Sequence, residues 1–145
     1  MLPDSKGLRI PVDLSFAWHS DAGTTLNDSI IGTLGIYCTD GQERGTEYAN
    51  GTSRYASRDF TDLVMTNITN DIRRTFEPNW TRRGMWDQSY YEARVPEVPG
   101  MLLELLSHQN FSLLPIVSKH KNSYHSLCLR LLYDLAILYH HLRCP

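Results

Sequence analysis

Cysteine is scarce: the 145 residues contain three, Cys38, Cys128 and Cys144. An odd, widely spaced set gives little basis for a disulfide framework. No run of 18 apolar residues occurs, so no segment is expected to span a bilayer as a helix. The opening Met1-Leu-Pro-Asp-Ser-Lys-Gly7 has no apolar core, and a signal peptide is not expected there. An excess of one charge is missing too. Lys and Arg number 14 against 16 Asp and Glu, a formal −2, so the basic footprint of a nucleic-acid binder is absent. What the sequence does have is 41% hydrophobic and 10% aromatic residues, which suits one domain with a single core and argues against disorder.

These averages conceal a break near residue 111. Residues 1–111 hold 15 acidic and 10 basic residues, all nine glycines and two histidines. Residues 112–145 hold one acid (Asp134), four bases, four histidines, nine leucines and no glycine. Thirty-four residues are too few for an independent core without a metal, a disulfide or a partner. We therefore divide the chain into an α/β unit over 8–111 and a divergent tail over 112–145. Three readings of the tail stay open. Residues 126–142 draw as an amphipathic helix with Cys128, Leu131, Leu132, Leu135, Leu138 and Leu142 on one stripe. His125-x-x-Cys128 and His141-x-x-Cys144 imitate zinc-knuckle spacing. A change of reading frame after Phe111 would also account for the switch in composition.

Within 8–111 the hydrophobic periodicity marks four elements. Residues 12–18 alternate apolar with small or polar residues, a strand pattern that ends at His19 and a turn-forming Ser-Asp-Ala-Gly. Residues 30–38 are β-branched and aromatic, a second strand weakened by Gly32 and Gly35. Residues 40–52 read as a surface loop. Over 53–76, Ala56, Phe60, Leu63, Val64, Ile68 and Ile72 recur at three- and four-residue steps, the stripe of a helix. Ser53 is its expected N-cap, Arg73 and Arg74 suit its negative end, and Pro78 stops it. Residues 98–106 form a nearly continuous apolar run, fitting a strand buried on both faces. The order strand, strand, helix, buried strand predicts an α/β fold: three layers, with a mostly parallel sheet flanked by helices.

Two polar groups stand where such folds place their sites, at the C-terminal ends of strands: His19 and Glu104. A histidine there offers a neutral imidazole to a metal or a proton relay; it also serves as an ordinary strand-end residue. A carboxylate inside an apolar run needs a partner or a raised pKa, although such residues pair structurally as often as they catalyse.

Around these two residues the wording resembles zinc-dependent N-acetylmuramoyl-L-alanine amidases. Asp13-Leu-Ser-Phe-Ala-Trp-His19-Ser-Asp21-Ala22 is similar to that family's strand followed by His-x-Asn/Asp-Ala. Val98-Pro99-Gly-Met-Leu-Leu-Glu104, with Asn110 six residues on, is similar to its VP-x-x-L-x-E…N segment, and Arg83-Gly84 falls at its Arg-Gly. Trp80-Thr-Arg-Arg-Gly-Met-Trp86 and Leu105-Leu-Ser-His-Gln-Asn-Phe111 also resemble secreted Bacteroidetes proteins labelled xanthan lyase, which carry an amidase-like domain.

The resemblance implies a zinc site of two histidines and one glutamate, with a second glutamate moving the proton between water and leaving amine. By position His19 is then a metal ligand, Glu104 the catalytic carboxylate, and Arg83 and Asn110 contact substrate. It further implies action on peptidoglycan, or on polysaccharide, outside the cell or in its envelope. The family's first histidine and its ligating glutamate lie upstream of His19, where residues 1–18 offer only Asp4 and Asp13. The expectation is an N-terminally incomplete domain, inactive alone because three protein ligands are needed, with an unpaired sheet edge open to self-association. A non-catalytic carbohydrate-related domain of a xanthan-lyase-like protein is the rival expectation.

Overall fold

A computed structural model describes residues 12–21, 23, 25–39, 45–107 and 110. The expectations for the tail over 112–145 lie outside these residues. The elements in chain order are β1 (Ser15–Asp21), β2 (Thr33–Tyr37), α1 (Tyr55–Thr75), β3 (Arg82–Asp87), α2 (Tyr91–Arg94) and β4 (Gly100–Ser107). They build one four-stranded sheet in the order β1-β4-β2-β3. β1 and β4 pair in parallel, as do β2 and β3, while the central β2–β4 pair is antiparallel. The α/β class and the mostly parallel sheet expected from the sequence are present, with a reversal of direction at the middle that periodicity does not reveal.

α1 forms because two adjacent rows of side chains, each with a four-residue step, face the sheet. Phe60, Val64, Ile68 and Ile72 make the apolar row; Ser57, Thr61, Met65 and Thr69 make a narrower one beside it, and all eight are buried. The narrow row lets the helix lie close to β2, where the position of a Cβ on Gly35 would be 2.6 Å from Thr61 Cγ2 and 2.9 Å from Met65 Cγ. Thr61 keeps its hydroxyl satisfied by donating to the Ser57 carbonyl at 2.7 Å. The helix start differs from expectation. Arg54 occupies the N-cap with no side-chain capping bond, and Ser53 Oγ only accepts the Tyr55 N–H at 3.3 Å. Arg54 is held otherwise: it is buried, its Nε donates to the Gly45 carbonyl, and its guanidinium lies 4.4 Å from the centre of the Tyr48 ring. The Tyr48 hydroxyl meets Ser57 Oγ at 2.6 Å, and the same Oγ accepts the Gly100 N–H, tying loop, helix and strand together.

β4 is buried on both faces, as its unbroken apolar run requires. Met101, Leu103 and Leu105 join the α1 residues and Trp80 in the main core. Leu102 turns the other way and packs with Leu34, Ile36 and Ala17. Trp80 places its indole in the main core and donates from Nε1 to Thr33 Oγ1 at 2.7 Å, so its one polar atom is paired. α2, a single turn packed on β4 and β2, lies on the opposite side from α1. β3 and α2 lack a readable period: β3 is short, polar and half-exposed. β1 also begins later than its alternation suggests and runs on through His19 to Asp21.

The close approach of α1 to β2 is directly testable. Replacing Gly35 with valine should destabilise the fold by about 1–3 kcal/mol through overpacking, read as a lowered urea midpoint.

Candidate acid–base site

The parallel register of β1 and β4 sets His19 opposite Glu104, in line with Ala17 opposite Leu102. Side chains alternate along a strand, so the face that carries Ala17 and Leu102 also carries His19 and Glu104 beyond them. Asp21 follows His19 by two residues and shares that face. Between His19 and Asp21 the register slips against β4, and a second slip lies between Thr33 and Leu34 where β2 meets β3. The residue left over at the second slip is Arg83. Irregularities of this kind re-aim side chains, and Arg83 reaches over the end of the sheet to donate from Nη2 to Asp21 Oδ2 at 2.8 Å. Among the described strands β1 and β3 are the outer ones, so this ion pair spans them and passes over the strand that carries Glu104. Its side chains are only 19% and 28% exposed.

α2 closes the cluster from the side. Glu92 Oε1 lies 3.7 Å from His19 Nε2, with side chains 43% and 37% exposed. A contact so open to water adds little stability, but it puts a fifth ionisable group at the rim.

Glu104 is the perturbed member. Burial raises its pKa above the ordinary glutamate value, and the Asp21 charge pushes the same way. His19 and Arg83 act against the rise, while Glu92 adds to it. Among the described residues Glu104 Oε2 and Arg83 Nη1 are buried atoms without a hydrogen-bond partner. A carboxyl group in that setting holds its proton more firmly than a solvated one, the direction in which a carboxylic general acid is tuned.

Of the residues expected from sequence, the structure brings His19, Glu104 and Arg83 into one cluster. Asn110 is placed differently. It is fully buried, and its Nδ2 donates to the carbonyls of Asp28 and Ile30 at 2.8 and 3.1 Å. That geometry latches the β1–β2 connection to the end of β4. Asp21 and Glu92 complete the cluster without having been singled out. The two-residue step from His19 could have flagged Asp21, because any strand puts such a pair on one face; Glu92 depends on how α2 docks and leaves no sequence signal.

The residues also bear on the zinc that the sequence resemblance implies. Among the described residues no group of three or more His, Cys, Asp or Glu side chains could hold a metal ion, and His19 is the only imidazole there. A catalytic zinc needs about three protein ligands in fixed geometry, so this set does not fit zinc.

Two outcomes follow from the site geometry. A carboxyl whose folded pKa is raised contributes stability below its unfolded pKa and loses it as pH climbs through the folded value. Wild type should therefore match Glu104→Gln in urea midpoint near about pH 4 and fall below it towards about pH 7. Asn110→Ala should cost about 1–3 kcal/mol by stranding two carbonyls, with hydrogen exchange accelerating at residues 27–31.

No protein-family model matches the chain, and no curated protein matches it; the resemblance to proteins labelled xanthan lyase thus has no support from those quarters. Among solved structures, the chain is similar in fold to the CwlD amidase from Clostridioides difficile, determined in complex with the GerS lipoprotein. The identity is 13% and the TM-score 0.48, with 72% of this chain and 43% of that chain covered. The chain thus spans less than half the length of the structure it resembles.

Proposed function

We propose that this chain is part of a cell-wall amide hydrolase of the zinc amidase kind, with its proton-handling carboxylate at Glu104. The observation that carries the reading is the pairing of His19 with Glu104 across β1 and β4. Two motifs 85 residues apart in sequence, each similar to an amidase segment, supply an imidazole and a carboxyl to adjacent positions on one face. On this reading the bond cut is the amide between N-acetylmuramic acid and the L-alanine of the peptide stem, in an extracellular or envelope setting.

Glu104 holds or releases the proton passed between water and the leaving amine, a task typically worth about 10²–10⁴-fold. Arg83, oriented by Asp21, lies beside it as a cation for carbonyl or carboxylate groups of the stem. His19 stands beside it as an imidazole, but the described residues do not form a metal centre around it. No step through zinc follows from them, and the chain alone is inactive.

A second reading has one observation in its favour. Trp86, Tyr90 and Tyr91 are exposed at 48%, 47% and 55% along the stretch from the end of β3 into α2. Exposed aromatic faces of this kind suit sugar rings, as in a non-catalytic domain of a polysaccharide-related secreted protein.

Zinc titration of the purified chain, with peptidoglycan digestion and co-sedimentation, separates the two. The expected result is no tight one-to-one zinc binding, no release of stem peptide, and co-sedimentation with peptidoglycan that Arg83→Ala weakens several-fold. Tight zinc binding with turnover would overturn the inactivity. Retention on xanthan but not on peptidoglycan would replace the hydrolase reading with the second one.

A further inference from the structure

Strand pairing aligns His19 with Glu104, Glu104 with Leu34 and Leu34 with Gly84, a single row across the four described strands. The neighbouring row on that face is Ala17, Leu102, Ile36 and Trp86. Residues paired in a row project from one face, so Trp86 shares the face that carries His19 and Glu104. Its row is buried at Leu102 and Ile36 and opens at Trp86, which is 48% exposed. The indole does not rise straight from its own row. Its Nε1 lies 3.9 Å from the point where a Cβ on Gly84 would be, so the ring leans along β3 towards the row of Glu104. Apart from the chain neighbours of Gly84, no other atom comes within 4 Å of that point, and the glycine leaves the surface beside the ring open. Two strand spacings put the Gly84 and Glu104 positions about 10 Å apart. Beyond Glu104 the charged groups gather towards β1, where Arg83 delivers its guanidinium to Asp21 and Glu92 approaches His19. The face is therefore aromatic at β3 and ionic at β1, with the carboxyl of Glu104 between.

We propose that this polarity sets the direction in which a glycopeptide binds: a pyranose ring stacks on Trp86 over β3, the amide that joins it to peptide lies at Glu104, and the peptide runs on towards Arg83 and Asp21 at β1. The inference rests on the hydrolase reading and deepens it, by giving the sugar its own subsite and the substrate one orientation. One face of a pyranose is lined with C–H groups, whose partial positive charge the face of an indole attracts. A sugar amide-linked to a peptide has that apolar face at one end and carbonyl and carboxylate groups at the other, in the same order as the groups from β3 to β1. A peptide alone would leave the indole bare. A plain glycan would leave Arg83 Nη1 and Glu104 Oε2, buried atoms without a hydrogen-bond partner among the described residues, without a complement. Tyr90 and Tyr91 are equally exposed, but they follow β3 and no register position ties them to this row.

Ligand-detected NMR titration of the full chain tests it with two probes: N-acetylmuramoyl-L-alanyl-D-isoglutamine, and its peptide half L-alanyl-D-isoglutamine. Trp86→Ala should weaken the glycopeptide about tenfold and leave the peptide half unchanged. Trp86→Phe, which keeps an aromatic face, should retain most of the binding, and Arg83→Ala should weaken both probes. Because Trp86 is half-exposed, the urea midpoints of its variants should stay close to wild type. If Trp86→Ala leaves glycopeptide binding intact, or weakens both probes equally, the sugar subsite is wrong. Failure of the wild-type chain to bind the glycopeptide would also overturn the proposal. Co-sedimentation with intact peptidoglycan would in that case leave the hydrolase reading standing, and its absence would remove both.

Discussion

The alignment of β1 with β4 is the constraint on which the candidate site depends. In a sheet, moving one strand by a single residue sends every side chain to the other face. A slip between these two strands would put His19 in the α1 core or Glu104 among Met101 and Leu103. What forbids it is the apolar content on both sides of β4: Met101, Leu103 and Leu105 need the α1 face, and Leu102 needs the small cluster with Leu34, Ile36 and Ala17. The core therefore fixes the chemistry at one remove. Every large apolar side chain along β4 helps to hold one carboxyl group beside one imidazole.

Electrostatics then differentiate groups that packing merely collects. Asp21 and Glu104 are both carboxylates on one face, but Asp21 has Arg83 as a direct partner and Glu104 has burial. The Asp21 charge pushes its neighbour towards the protonated form. Separation of two acids by environment is a common origin of acid–base function. Here it arises because a register slip frees Arg83 to span the end of the sheet.

Much of this fold was legible in the sequence. The α1 stripe from Phe60 to Ile72 is readable because a 3.6-residue period over more than three turns has no competing explanation, and the 98–106 run is readable because few structures bury so many consecutive apolar residues. β3 leaves no sequence signal since Arg82-Arg83-Gly84 carries no alternation; its strand character comes from pairing with β2, a tertiary effect. The N-cap lies one residue beyond Ser53 because Arg54 is drawn inward by Tyr48 and the Gly45 carbonyl, contacts invisible to local propensity. Of the site, His19, Arg83 and Glu104 could be named from their wording, whereas Glu92 needed a docked α2, and the latch made by Asn110 needed the path of the β1–β2 connection.

The strand order has a consequence for the chain as it emerges from the ribosome. Among the described residues β4 is the last strand of the sheet in sequence, yet it inserts between β1 and β2. Until residue 107 has been synthesised, β1 lacks its neighbour among the described strands, and α1 and β2 lack the hydrophobic slab that packs against both. β1 must wait for this partner, a segment some 85 residues behind it. Such distant closure favours slow, late consolidation, and it makes the half-made polypeptide a natural client for whatever shields nascent β-edges.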